Sequence, residues 1–195
     1  KASGYDTIDG IIWNFEITDG KATGLYAPYD VETSTITIPT EVTYKNVTYP
    51  VVSVGKTNVS NESSLFFGSL EPNTTVSFAQ KDGKTSITKI NAYAFYGCTN
   101  IQSVNIPNSV TEIGDYAFYN CGRISSFTIP YDLTKIGKGA FEKCTSATLT
   151  IENPNLAKEN LVDSGITFIV GCSNSTAREY YNEYVEPDYG TPRWV

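Results

Sequence analysis

The chain has 195 residues, of which 40% are hydrophobic, enough for one domain with a packed core and too many for wholesale disorder. The net charge is −7, and the only arginines are Arg123, Arg178 and Arg193, so the basic stripe of a nucleic-acid surface is absent. There is no His, which excludes Ser-His-Asp and Cys-His nucleophile systems and removes the commonest transition-metal ligand.

Residues 1–49 read as a first, β-hairpin capping unit. Ile11 to Ile17 alternates apolar and polar residues after Ile11, which predicts a strand. Asp19-Gly20 is a hairpin signal, and Lys21 to Tyr26 returns as its second strand. Thr35-Ile-Thr-Ile-Pro39 predicts a short strand closed by Pro. Val42-Thr-Tyr44 and Val47-Thr-Tyr49 flank Lys45-Asn46 as another tight hairpin.

Residues 50–153 carry a repeat. Ile90-Asn-Ala-Tyr-Ala-Phe-Tyr-Gly-Cys98, Ile113-Gly-Asp-Tyr-Ala-Phe-Tyr-Asn-Cys121 and Ile136-Gly-Lys-Gly-Ala-Phe-Glu-Lys-Cys144 recur at a 23-residue spacing. A fixed period of this size is the signature of stacked coils. Three clean coils run over 86–108, 109–131 and 132–153. Pro50 to Gly55, Leu65 to Gly68 and Thr75 to Ala79 make a degenerate first coil, with polar insertions at 56–64 and 80–85 expected as surface loops. In each clean coil a strand follows the cysteine: Ile101, Val104 and Ile106; Ile124, Phe127 and Ile129; Ala147, Leu149 and Ile151 are its inward positions. Pro107 and Pro130 end the strand, having no N–H to donate. Gly114 and Gly137 are expected to permit a bend.

Residues 154–195 read as a C-terminal cap and tail. A short helix is predicted within 154–163 and a strand over Ile166 to Val170. Thr176-Ala-Arg-Glu179 is a capping box opening a helix to about Tyr184. An irregular tail follows, pinned by Trp194.

The phrase Val-Thr-x-Ile-Gly-x-x-Ala-Phe-x-x-Cys, followed by a strand ending in Ile-Pro, resembles the BspA-like leucine-rich repeat family of bacterial cell-surface proteins. The match is specific over 86–153 and looser over 34–79, and Gly171 to Tyr184 is similar to the family's terminal strand and helix. The resemblance implies a right-handed parallel solenoid, β-rich with short helical turns, between an N-terminal hairpin cap and a C-terminal helix cap. It also implies export to the cell surface or beyond and, for some members, protein-binding or adhesive roles.

Four sets of residues in the repeats are candidates for function. Equivalent residues of adjacent coils stack at about 4.8 Å, whereas disulfide Cβ atoms lie about 3.5–4.5 Å apart. Cys98, Cys121 and Cys144 therefore read as small buried core residues, with a bridge involving Cys172 or a reactive thiol as alternatives. Tyr93 with Tyr116, and Tyr96 with Tyr119, form two columns beside the core Phe; coil three replaces them with Gly139 and Glu142, so the core does not demand them. They read as a binding patch or as packing over the neighbouring turn. Ser103, Asn105, Ser126, Thr128 and Thr150 form a small, neutral strand face suited to polar protein or glycan contact, or to plain solvation. Thr88, Thr111 and Thr134, beside Lys89, Glu112 and Lys135, read as inter-coil stabilisation. Five N-x-S/T sequons, at Asn46, Asn58, Asn61, Asn73 and Asn174, are near chance expectation and decide nothing.

The functional expectation is a secreted or surface-exposed interaction module, adhesin-like and not an enzyme. No carboxylate pair is singled out by spacing, no C-x-x-C pair offers a zinc site, and no cofactor is expected. The absence of Met implies that the chain does not begin at its own start codon and that a leader has been removed. No apolar run of about 18 residues predicts a membrane span. The expected partner is a protein, such as an extracellular host protein, or a glycan. A structural spacer within a larger surface protein and a carbohydrate-active enzyme or glycan-binding domain remain alternatives.

Overall fold

The computed structural model describes residues 1–151, 153, 156–157, 159–166 and 169–171. β1 (Ala2–Ile8), β2 (Ile11–Thr18) and β3 (Lys21–Tyr26) form an antiparallel meander. Its two loops, Asp9-Gly10 and Asp19-Gly20, have positive φ at both residues, at 51° and 78° and at 50° and 71°. This is the turn that Asp-Gly favours, because its twist matches that of the paired strands. The second hairpin was expected; β1 was not, although Asp9-Gly10 carried the same signal. β4 (Thr35–Ile38) follows, then β5 (Glu41–Tyr44) and β6 (Val47–Pro50), which pair around Lys45-Asn46 as expected.

The repeats supply two strands per coil. β7 (Ser53–Val54) and β8 (Thr74–Phe78) belong to the degenerate coil. The three clean coils supply β9 (Lys89–Ile90) and β10 (Ile101–Val104), β11 (Glu112–Ile113) and β12 (Ser126–Ile129), and β13 (Lys135–Ile136) and β14 (Thr148–Ile151). A four-residue helix, α1 (Glu159–Val162), and β15 (Ile169–Gly171) complete the described elements. The helix lies within the stretch expected to be helical, and β15 begins three residues after Ile166. Cys172, the helix expected from Thr176 and Trp194 lie outside the described residues.

The two-residue strands stack in parallel as β7-β9-β11-β13, and β3 pairs with β7, so the meander and the coils share one seven-stranded sheet. Register is kept from coil to coil: Glu112 faces Lys89 on one side and Lys135 on the other. Each threonine beside them joins the ladder twice. Thr111 donates its N–H (2.9 Å) and hydroxyl (3.3 Å) to Thr88 O, and Thr134 does the same to Thr111 O at 2.9 and 3.2 Å. Glu112 bridges Lys89 and Lys135 at 3.2 and 3.3 Å, the inter-coil role expected of this column. Burial raises the Glu112 pKa, but hydrogen bonds from the two ammonium groups, and their charges, outweigh it and hold the carboxyl below its usual range.

The longer strands split into two three-stranded sheets, β10-β8-β4 and β12-β14-β15. Thus β4, inside the first unit by sequence, pairs with a strand of the repeats. Among the described residues β10 and β12 are not paired. The register of β10 slips between Ile101 and Ser103. In the next coil Phe127 replaces Val104 and turns its ring into the core, 4.9 Å from both Phe118 and Phe141. Ile106, expected to point inward, is only half-buried beside this break, whereas Ile129 is fully buried.

Gly114 and Gly137 do not serve as bends. Neither has a positive φ. A Cβ at Gly114 would collide with the Ala92 backbone, and one at Gly137 with the Asp115 backbone, so glycine is needed for close approach between coils.

The core is a column of rings. Phe118 lies flat between Phe95 (4.8 Å, 6°) and Phe141 (5.6 Å, 3°), with all three buried. Replacing Phe118 by Ala removes the middle ring and leaves a cavity that neighbours locked in a ladder cannot collapse to fill. The expected loss is about 3–5 kcal/mol in denaturant melts; a loss below about 1 kcal/mol would contradict the stacking.

Candidate functional site

The turn between the two strands of each coil carries Ala-Phe inward and a second pair of side chains outward. Backbone hydrogen bonds tie successive turns together: Tyr93 N to Asp115 O, Phe95 N to Ala117 O and Gly97 N to Tyr119 O, at 2.9, 2.6 and 2.8 Å. Tyr116, Phe118 and Asn120 repeat the pattern toward coil three. The outward rings are therefore stacked by the backbone ladder. Tyr96 and Tyr119 lie face to face at 4.6 Å and 9°, and Tyr93 and Tyr116 at 5.4 Å and 31°.

The two columns are one cluster. Tyr93 contacts Tyr96 at 5.4 Å, and Tyr116 meets Tyr119 edge-on at 5.9 Å. All four rings are half-buried, largely against one another. Lys143 of coil three caps the pile, its Nζ 5.3 Å from the Tyr119 ring centre. A hydrogen bond to the Tyr119 hydroxyl, and its charge, hold the Lys143 pKa above the usual value. Partial desolvation, then the neighbouring Tyr116 and Tyr96 and the Asp115 carboxylate, push the Tyr93 phenol upward.

Tyr93 and Tyr116 have φ of 61° and 54°, the left-handed region that bulky residues avoid, and Gly139 takes the same position in coil three at 62°. A Cβ on Gly139 would collide with the Tyr116 ring, so the pile of large rings ends there. The aromatic residues are held against a backbone preference of about 1–3 kcal/mol each.

The strand face divides as the sheets do. Ser103 on β10 and Asn105 just beyond it belong with β8 and β4; Ser126, Thr128 and Thr150 belong with β12 and β14, where Thr128 faces Thr150. Thr37 and Ser77, not singled out from sequence, extend the first group, with their hydroxyls 3.5 Å apart. Their Thr-Ile-Thr-Ile and Val-Ser-Phe alternation was the signal that placed them outward. Asn91, which holds the place of Gly114 in its coil, is buried and donates Nδ2 to Gly55 O at 2.6 Å. Among the described residues no group of three or more His, Cys, Asp or Glu side chains has metal-binding geometry, and no helix is long and apolar enough to cross a membrane.

This stacked, strand-rich architecture with almost no helix is of the leucine-rich repeat type. A model of the BspA type leucine-rich repeat region, in six copies, matches residues 73–175. The chain belongs to this family, whose members are typically bacterial surface or secreted proteins that act as protein-interaction modules. The match runs past Asn153, where the 23-residue period is lost. Among solved structures, a leucine-rich repeat protein from Bacteroides capillosus is 24% identical, with a TM-score of 0.52 over 72% of this chain and 94% of that one. The T. pallidum leucine-rich repeat protein is 20% identical, with a TM-score of 0.57 over 85% and 70%. The pneumococcal vaccine antigen PcpA is 16% identical, with a TM-score of 0.51 over 86% of this chain and 40% of that one. At these identities the likeness establishes the fold alone. No curated protein sequence matches the chain.

Cys98, Cys121 and Cys144 are free and buried, as the stacking distance implied. Each of the latter two donates its thiol to the Phe carbonyl one coil back: Cys121 Sγ to Phe95 O at 3.1 Å and Cys144 Sγ to Phe118 O at 2.9 Å. Burial pushes the Cys98 thiol up to about 12, with Ser63 drawing it back slightly, and pushes Cys121 well above its usual value. Such thiols remain protonated and unreactive at neutral pH, whereas a hydrogen bond with Cys121 draws the Cys144 thiol below its usual value against the opposing effect of burial. Alkylation of the native protein should be slow at all three because each is buried. After denaturation without reductant at least three thiols should be recovered, and recovery of none would contradict the geometry.

Proposed function

We propose that the chain is a secreted or surface-exposed, non-enzymatic interaction module that binds an extracellular protein, in the manner of an adhesin, through the Tyr93, Tyr96, Tyr116 and Tyr119 cluster. The observation that carries this reading is the pair of tyrosines kept at positive φ where coil three accepts Gly139. Local strain in a bulky residue is a pointer to function when the fold itself does not require that residue. The rings are prestacked, so a partner orders little on binding, and Tyr supplies large contact area with a polar tip. The Ser103 and Asn105 group and the Ser126, Thr128 and Thr150 group supply neutral polar surface for a wider footprint. A neutral face on an acidic chain favours a polar protein partner over nucleic acid.

The same reading takes the coils as right-handed and divides the chain into an N-terminal cap (1–49), repeats (50–153) and a C-terminal cap and tail (154–195). Antiparallel β1–β3 at one end of the seven-stranded sheet supports an N-terminal cap, because it covers the core of a stack that otherwise ends open.

The test starts from a pull-down against extracellular host proteins, with affinities then measured on the purified partner. The double change Tyr96→Ser and Tyr119→Ser should weaken binding about tenfold or more, since interface Tyr are frequent hot spots. Ser126→Lys with Thr128→Lys tests the strand face. Loss only in the second variant transfers the site to that face. Loss in neither removes both surfaces, and the absence of any partner leaves a structural spacer.

A further inference from the structure

A cleft lies away from the tyrosine cluster, where the meander meets the first insertion. It is about 600 Å³, within the range of small-ligand sites. No residue of the cluster lines it. Asn14, Glu16 and Tyr26 come from β2 and β3; Lys56, Asn58 and Phe67 come from the degenerate coil and its insertion.

The cleft is built by a β-bulge. Asn14 pairs with Tyr26 and Glu16 with Thr23, so β3 carries one extra residue between them. Gly24 sits in that step at φ 62°, and its N–H donates to the buried Ser53 hydroxyl at 2.9 Å. Strand alternation from buried Ala22 would bury Tyr26; the bulge shifts the phase so that Leu25 is buried and Tyr26 faces outward with Asn14. Bulges recur beside functional sites because they re-aim a side chain in this way.

The re-aimed ring becomes a platform. Tyr26 meets Phe67 edge-on at 5.2 Å, and Phe67 is 39% exposed, unusual for its type. Asn14 Nδ2 donates to the Tyr26 hydroxyl at 3.3 Å. Lys56 Nζ lies over both rings, 5.2 Å from the Tyr26 ring centre and 5.9 Å from that of Phe67, so a ligand ring on this surface takes the place of that ammonium. Among the described residues it has no carboxylate within ion-pair distance. The Glu16 carboxylate is taken by Lys1 at 2.8 Å.

An aromatic corner, its two rings 61° apart and lined by amides, an ammonium and carboxylates, suits a polyhydroxylated ring. Its C–H face covers the aromatic surface, and its hydroxyls both donate and accept. Charge within the cleft nearly balances: Lys56 offsets Glu62, and Lys1 offsets Glu16. The chain as a whole carries −7, which repels anions. We propose that this cleft binds one to three units of a neutral glycan, with Tyr26 and Phe67 as the stacking platform and Asn14, Asn58 and Lys56 contacting hydroxyls.

The test is calorimetric titration of the whole chain with maltotriose, cellotriose and tri-N-acetylchitotriose, with trigalacturonic acid as the charged comparison. At least one neutral trisaccharide should saturate the protein with a millimolar or lower Kd. Phe67→Ala should weaken it about tenfold, as loss of a stacking anchor does. Asn14→Ala, on the outward face of β2, should weaken it severalfold and supplies the readout if Phe67→Ala lowers the melting temperature. Tyr96→Ser with Tyr119→Ser should leave it unchanged, which separates this site from the tyrosine cluster. No heat with any neutral sugar at about 20 mM, binding of the acidic sugar alone, or binding indifferent to both cleft substitutions would overturn the proposal.

Discussion

Backbone hydrogen bonds between a residue and its counterpart in the next coil set the distance at which side chains of this protein meet. The Thr111 and Thr134 ladder does this on one side, and the Phe95 N to Ala117 O series does it at the turn. Once those bonds form, whatever occupies a position is stacked on its own kind about 4.8 Å away. Phe rings become a core column, thiols become a buried file, Lys and Glu become a bridged charge column, and Tyr becomes a cluster. The same distance requires glycine at 114 and 137, where any side chain would strike the backbone of the preceding coil.

That constraint also explains why the arrangement is not uniform. The short strands tolerate it in every coil and form one continuous ladder. The longer strands do not, because Phe127 brings a larger ring into a core sized by Val104 and because β10 slips its register after Ile101. Two polar faces result in place of one. At the turn, the column of large rings ends where Gly139 and Lys143 take over.

The repeat, most of the inward Phe, Cys and Ile positions and two of the hairpins were legible in sequence because each rests on short-range rules. Period, alternation and Asp-Gly or Lys-Asn turns need no knowledge of distant contacts. β1 was legible only through Asp9-Gly10, because Ala2 to Ile8 lacks the apolar alternation of a half-buried strand. The bulge at Gly24 was not legible. A glycine in a strand signals a bulge only weakly, and the consequence for Tyr26 depends on Ser53, 29 residues beyond Gly24, and on Phe67, 41 residues beyond Tyr26. The positive φ of Tyr93 and Tyr116 was hidden for a different reason: the aligned Gly139 signals a dispensable ring as readily as a left-handed backbone.

On the proposed function, Tyr93 and Tyr116 are retained for contact and not for stability. Replacing both by Gly tests it directly, since coil three shows that the backbone accepts Gly there. Relief of two left-handed conformations should offset the lost stacking, leaving unfolding free energy within about 1 kcal/mol of the parent while partner binding is lost. A fall of about 3 kcal/mol or more with binding retained would show instead that the cluster is packing.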